Sequence, residues 1–141
     1  MKLKWIAVIF IFLPLALKFG CALLPEQSST KPELFGAWGG EHIALNITQD
    51  SITLEYDCGR GTIDEPIRLD ESGEFEADGT YIYEHGGPVR EEEKPEQLPA
   101  NYRGHVEGSK MTLTVKLKST GAGLGAFVLQ LGRAPRLFKC L

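Results

Sequence analysis

Two histidines in this chain stand in nearly the same setting: Trp38-Gly39-Gly40-Glu41-His42 and Glu84-His85-Gly86-Gly87 each join a Glu-His pair to paired glycines. Imidazole and carboxylate are ligands for zinc or copper, so His42 and His85 with Glu41 or Glu84 make a candidate metal site. The competing use is plainer, with both imidazoles hydrogen-bonded to loop backbone. Arg60, in Cys58-Gly59-Arg60-Gly61, and Arg90, in His85-Gly86-Gly87-Pro88-Val89-Arg90, set a guanidinium beside glycine-rich backbone, which suits capture of a carboxylate or another anion. Glu91, Glu92 and Glu93 follow Arg90 directly, so local ion pairing competes for it. Trp38, Arg60, His85 and Arg90 are therefore candidate binding residues, and Glu41, His42 and His85 candidate metal ligands.

Covalent catalysis has no recognisable machinery. The chain holds no Gly-x-Ser-x-Gly elbow, no His-Glu-x-x-His helix and no Cys-x-x-Cys pair. Gly121-Ala122-Gly123-Leu124-Gly125 falls between two strand patterns, whereas a phosphate-binding glycine loop joins a strand to a helix. An enzyme is not expected.

The compartment is read from the first residues. Met1-Lys2-Leu3-Lys4 is basic, Trp5 to Leu17 is apolar but short for a membrane span, and Gly20 and Ala22 are small. Residues 1–22 thus have the layout of an export signal, with an uncleaved anchor as the alternative. Gly20-Cys21 after the apolar run resembles the lipobox of bacterial lipoproteins, in which the cysteine becomes the lipidated first residue of the mature chain. Ordinary cleavage after Ala22 competes with that outcome. Either way Cys58 and Cys140 remain, and two cysteines in an oxidising compartment predict a disulfide. The expected location is the periplasm or cell envelope, with membrane contact only through the signal or a lipid.

Charge narrows the partners. Beyond Lys2, Lys4 and Lys18 the chain carries twelve Lys and Arg against nineteen Asp and Glu, a net charge of −7 that repels nucleic acid. Residues 23–33 are polar and proline-bearing and read as a tether, leaving 34–141 as one domain, expected to be monomeric.

The elements that must position these groups follow from period two. Ile43, Leu45 and Ile47 alternate with polar neighbours, as do Ile52, Leu54 and Tyr56, and Met111, Leu113, Val115 and Leu117. The pattern predicts an all-β domain with strands over 41–48, 51–58, 61–69, 74–85, 100–107, 110–118, 125–132 and 135–140. Short connections make neighbours antiparallel, favouring an up-and-down barrel over a Greek-key sandwich. In such a barrel every even strand ends at one rim. Cys58, Cys140, both Glu-His pairs, Trp38 and the glycine-rich turns would gather there, and the opposite rim would carry only short turns.

Gly36-Ala37-Trp38 ahead of the first predicted strand is similar to the opening of lipocalin-type barrels, and that resemblance implies a tryptophan plugging the closed end. Trp38-Gly39-Gly40-Glu41-His42, Gly61-Thr62-Ile63-Asp64-Glu65-Pro66, His85-Gly86-Gly87-Pro88-Val89-Arg90 and Leu137-Phe138-Lys139-Cys140 together resemble a family of small exported bacterial proteins without assigned function. The expectation is a non-enzymatic envelope module that binds a protein or small ligand at a polar rim, no cofactor being required unless zinc or copper occupies the histidines. The alternatives are an interaction or inhibitor module presenting the 86–99 loop, and metal binding at the His42/His85 rim. An interior filled by Ile43, Leu45, Leu54, Tyr56, Met111, Leu113 and Val115 would be a core rather than a ligand cavity.

Overall fold

In the computed structural model, residues 31–87 and 94–140 are described. The 1–22 signal, Cys21, the tether up to residue 30 and Arg90 lie outside them. Eight antiparallel strands form a closed barrel in chain order: β1 (Gly36–Gly40), β2 (Ile43–Ile47), β3 (Ile52–Tyr56), β4 (Gly59–Ile63), β5 (Glu74–Tyr83), β6 (Leu98–Glu107), β7 (Lys110–Leu117) and β8 (Gly123–Leu131). The barrel closes where Trp38, Gly39 and Gly40 pair with Leu131, Gln130 and Leu129. Closure gives every strand a hydrogen-bonded neighbour on both sides.

The strand count matches the sequence pattern, but the set of strands differs. β1 replaces 135–140 as the missing member. Three of its five residues are glycine, so it has no alternation to read. Glycine is required at Gly39, where a Cβ would press on the backbone of Arg133 to Pro135, with the Pro135 nitrogen only 2.8 Å away. After β8 the chain turns at Gly132, φ 75°, and residues 132–140 run back along the outside of β1 as a strap. The strap makes one parallel bridge, Glu41 to Arg136, and Pro135, having no N–H, offers no donor to extend it. β4 ends at Ile63 rather than 69, ahead of Pro66, and β6 begins at Leu98, which shortens the expected 86–99 loop at its far end.

Alternation is strict in β3, β4 and β7. β3 and β7 bury every second residue, and the inward set forms one cluster containing Ile43, Leu45, Leu54, Tyr56, Met111, Leu113 and Val115. The inward positions of β4 are Gly59, Gly61 and Ile63. The two glycines make room for tyrosine hydroxyls: a Cβ on Gly59 would meet the Tyr81 hydroxyl, and one on Gly61 the Tyr102 hydroxyl. Tyr102, 0% exposed, crosses the interior to donate to the Thr80 carbonyl at 2.6 Å. Tyr56 packs on Tyr81 and Phe127, with ring centroids 5.2 and 5.6 Å apart. The interior is thus a packed core of aromatic and aliphatic side chains.

The two ends differ. At the end where β2, β4 and β6 finish, the connection from Asp64 to Gly73 is long, correcting the expectation of short turns there. Ile67 in that connection is buried, and the backbones of Pro32, Leu34, Ile67 and Leu69 hydrogen-bond to one another. Trp38 also belongs to the core, 2% exposed, with its indole N–H directed to the Phe35 carbonyl at 3.4 Å. It is not a rim binding residue, because the odd register of β1 turns it inward beside Leu45.

Candidate functional site

The other rim gathers the β1–β2 turn (Glu41, His42), the β3–β4 turn (Asp57, Cys58), the β5–β6 connection from Glu84 and the β7–β8 turn. The strand pattern of the sequence puts Cys58 and Cys140 on one rim as the ends of two strands. They do meet there, but by another route: Cys58 sits in a turn and Cys140 arrives on the strap. The two form a disulfide with Cα atoms 5.3 Å apart.

Asp57 organises the rim. One carboxylate oxygen accepts the Phe138 backbone N–H at 2.8 Å and the other meets His42 Nδ1 at 2.5 Å, while its carbonyl accepts the Cys140 N–H at 3.4 Å. The Phe138 N–H first, and the His42 contact after it, hold the Asp57 carboxyl below its ordinary value. His42 has φ 66°, a left-handed backbone uncommon outside glycine, and its N–H donates to the Arg136 carbonyl at 2.8 Å. Its ring lies 5.5 Å from that of Phe138. The strap therefore holds His42 in its unusual conformation from both backbone and side chain.

Charged groups continue around the rim. Glu41 meets Arg136 at 3.1 Å and Arg133 at 3.8 Å; Lys139 reaches Glu55 at 3.6 Å and the Tyr56 carbonyl at 3.3 Å; Arg60 lies 3.6 Å from Glu84. Beside this network runs a groove of about 460 Å³, walled by Asp57, Arg60, Glu84, His85, Lys94 and Cys140 among others. Ile82 forms apolar floor, buried on the outer face of β5, while Tyr83 stands 55% exposed and is braced edge-on by Tyr81 at 4.8 Å.

The residues singled out by sequence are therefore divided. Arg60 and His85 share the groove, where His85 Nδ1 lies 3.2 Å from the Gly86 carbonyl. Glu41 and His42 are engaged by the strap and do not line that wall. Both occupy a tight turn, not the start of a strand as the pattern suggested. Among the described residues no group of three His, Cys, Asp or Glu side chains is arranged to enclose a metal ion.

Sequence reasoning missed Asp57, Ile82, Tyr83 and Lys94. Asp57 carried one signal, its place beside Cys58. Ile82 and Tyr83 were obscured because an outward isoleucine at the end of a strand reads as a break in alternation. No protein-family model, no curated protein and no solved structure matches the chain.

Proposed function

We propose that this chain is a non-enzymatic binding module of an exported compartment, in which a packed barrel serves as pedestal and the rim groove takes a segment of a protein partner. The observation that carries this reading is the filled interior: tyrosine hydroxyls occupy the space that Gly59 and Gly61 leave open, so recognition falls to the outside of the barrel. The groove offers what a polypeptide segment needs. Tyr83 and Ile82 provide apolar contact, Arg60 and Lys94 provide positive charge, and Asp57, Glu84 and Glu96 provide negative charge within one concavity. Aromatic and arginine side chains of this kind supply most of the binding energy in protein interfaces.

The net charge of −4, which becomes −7 without Lys2, Lys4 and Lys18, disfavours nucleic acid, and the mixed lining disfavours a purely apolar lipid chain. His42 supports a positioning use, since its ring is held between Asp57 and the strap's Phe138. An export context is supported by the basic and apolar start of the chain and by the disulfide.

The test is comparative capture from an envelope extract with wild type, Tyr83→Ala, Arg60→Glu and the outer-wall control Thr114→Ala. A protein retained by wild type and Thr114→Ala but lost with both rim variants supports the groove. Equal retention by all four removes it as the binding surface.

A further inference from the structure

The strap is held at the rim by one covalent bond and a set of solvent-exposed polar contacts. Arg136 with Glu41, Lys139 with Glu55 and Phe138 with Asp57 all lie at the surface, where such contacts are weak individually. Barrel closure does not depend on them, because β1 and β8 pair before the strap begins. The disulfide is the one covalent tie on the strap end, so opening it leaves that end on its backbone and surface polar contacts.

The two sulfurs are presented differently. Cys140 is exposed and lines the groove, whereas Cys58 is half-buried in the β3–β4 turn, with its carbonyl accepting the Glu84 N–H at 3.0 Å. Arg60, two residues beyond Cys58, projects into the same groove. Exchange requires an accessible sulfur to attack and is faster when the departing thiolate is stabilised by nearby positive charge. We propose that the Cys58–Cys140 disulfide is a thiol–disulfide exchange site, attacked at Cys140 from the groove by an incoming thiolate, and that its opening undocks the strap.

The chemistry balances with a dithiol as co-reactant. The incoming thiolate bonds to Cys140 Sγ as the Cys58–Cys140 bond breaks, and the electron pair leaves on Cys58 Sγ. The second thiolate of the same reagent then attacks its own bonded sulfur, closing the reagent's disulfide and expelling Cys140 as thiolate. The dithiol is oxidised, the protein disulfide is reduced, and both cysteine thiolates take their protons from water. A monothiol halts at the first step as a mixed disulfide. This site goes beyond the binding role proposed above and does not depend on it.

The test uses the oxidised full chain at neutral pH without denaturant. One arm takes glutathione and the other a Cys-x-x-Cys peptide whose second cysteine is replaced by serine, so that the adduct is trapped. After alkylation, mass spectrometry locates the adduct and circular dichroism follows the barrel. The expected result is adduct on Cys140 over Cys58 by roughly tenfold. Arg60→Ala should slow its formation several-fold. Trypsin cleavage after Arg136 should accelerate while the strand signal stays constant. Adduct in the glutathione arm identifies a small thiol as sufficient, and adduct confined to the peptide arm identifies a protein dithiol. Adduct mainly on Cys58, or reaction only as the strand signal is lost, would overturn the proposal.

Discussion

Gly61→Ala tests the packed interior with a single methyl group. Gly61 has ordinary strand backbone, so alanine meets no conformational penalty there and the whole cost must come from packing. The added Cβ would overlap the Tyr102 hydroxyl and lie 2.9 Å from the Thr80 carbonyl oxygen, the atom to which that hydroxyl donates. Either the buried ring moves and gives up its hydrogen bond, or the wall between β4 and β5 shifts. Overpacking of this kind costs about 1–3 kcal/mol. The lost hydrogen bond adds about 1 kcal/mol. Reduced unfolded-chain freedom returns about 0.4–1 kcal/mol. A net loss of about 1–3 kcal/mol corresponds to a fall in Tm of roughly 4–12 °C. Tyr102→Phe alone should cost about 1 kcal/mol by removing the hydrogen bond. Combining it with Gly61→Ala should cost much less than the sum, because the overlapping oxygen is gone, giving a coupling of at least about 1 kcal/mol by denaturant melts. Additive losses, or a Gly61→Ala protein as stable as wild type, would show that the space between β4 and Tyr102 is open and would refute the packing argument.

Removing the disulfide by Cys58→Ser/Cys140→Ser leaves a link across 82 residues unmade and should lower stability by up to about 4–5 kcal/mol on chain-entropy grounds, with the barrel still formed at room temperature in urea titrations. Burial raises the folded pKa of Tyr102 to about 12, and that of Tyr56 also goes up, whereas an unfolded tyrosine titrates near 10. Their contribution to stability is complete below pH 10 and is lost as pH rises through the folded values, so alkaline unfolding should coincide with the rise in tyrosinate absorbance. Asp57 has the opposite sign, its folded pKa being lowered, so its contribution is present above the ordinary carboxylate value and disappears as pH falls through the folded one. Proteolysis after Arg136 should therefore speed up in acid when the disulfide is absent, and Asp57→Asn should show the same susceptibility at neutral pH. With Glu41 and His42 engaged by Arg136 and Asp57, added zinc or copper should leave Tm unchanged in wild type and in His42→Ala/His85→Ala; a rise confined to wild type would restore the rim histidines as ligands.

What the sequence made legible was whatever depends on alternation. β3 and β7 announce their inward faces residue by residue, and the interior residues expected from period two all lie in the observed core, which is larger. β1 was illegible because glycine carries no hydrophobic signal, yet its glycines are what allow the strap and β8 to approach so closely. The strap was mistaken for a strand because Leu137, Phe138 and Cys140 supply apolar character in a segment that pairs only at Arg136. The error cancelled at the cysteines: omitting one strand at the start and adding one at the end preserved the rim on which they meet. Period two also carried Trp38 inward, a consequence hidden while β1 went unrecognised. For the site, Arg60 and His85 were legible as charged residues beside glycine. Asp57 was not, because its role depends on a backbone N–H some eighty residues away, at Phe138.

Barrel, strap and groove form one mechanical arrangement. The tyrosine-filled core fixes the β3–β4 turn and the end of β5, and those elements carry Asp57, Arg60, Tyr83 and Glu84. The strap then locks the rim from outside through Asp57 and the disulfide. A surface built on strands in this way presents its side chains with little rearrangement, and that lowers the entropy lost on binding.

The most direct measurement is site-specific photo-crosslinking in the producing cell, with a photoreactive residue at position 60 or 83 in the groove, at 114 on the outer wall, or at 50 at the opposite end. Adducts to the same partner from 60 and 83, and none from 50 or 114, are the predicted result. Adducts from 50 or 114 with none from the groove would contradict the assignment of the rim as the binding surface.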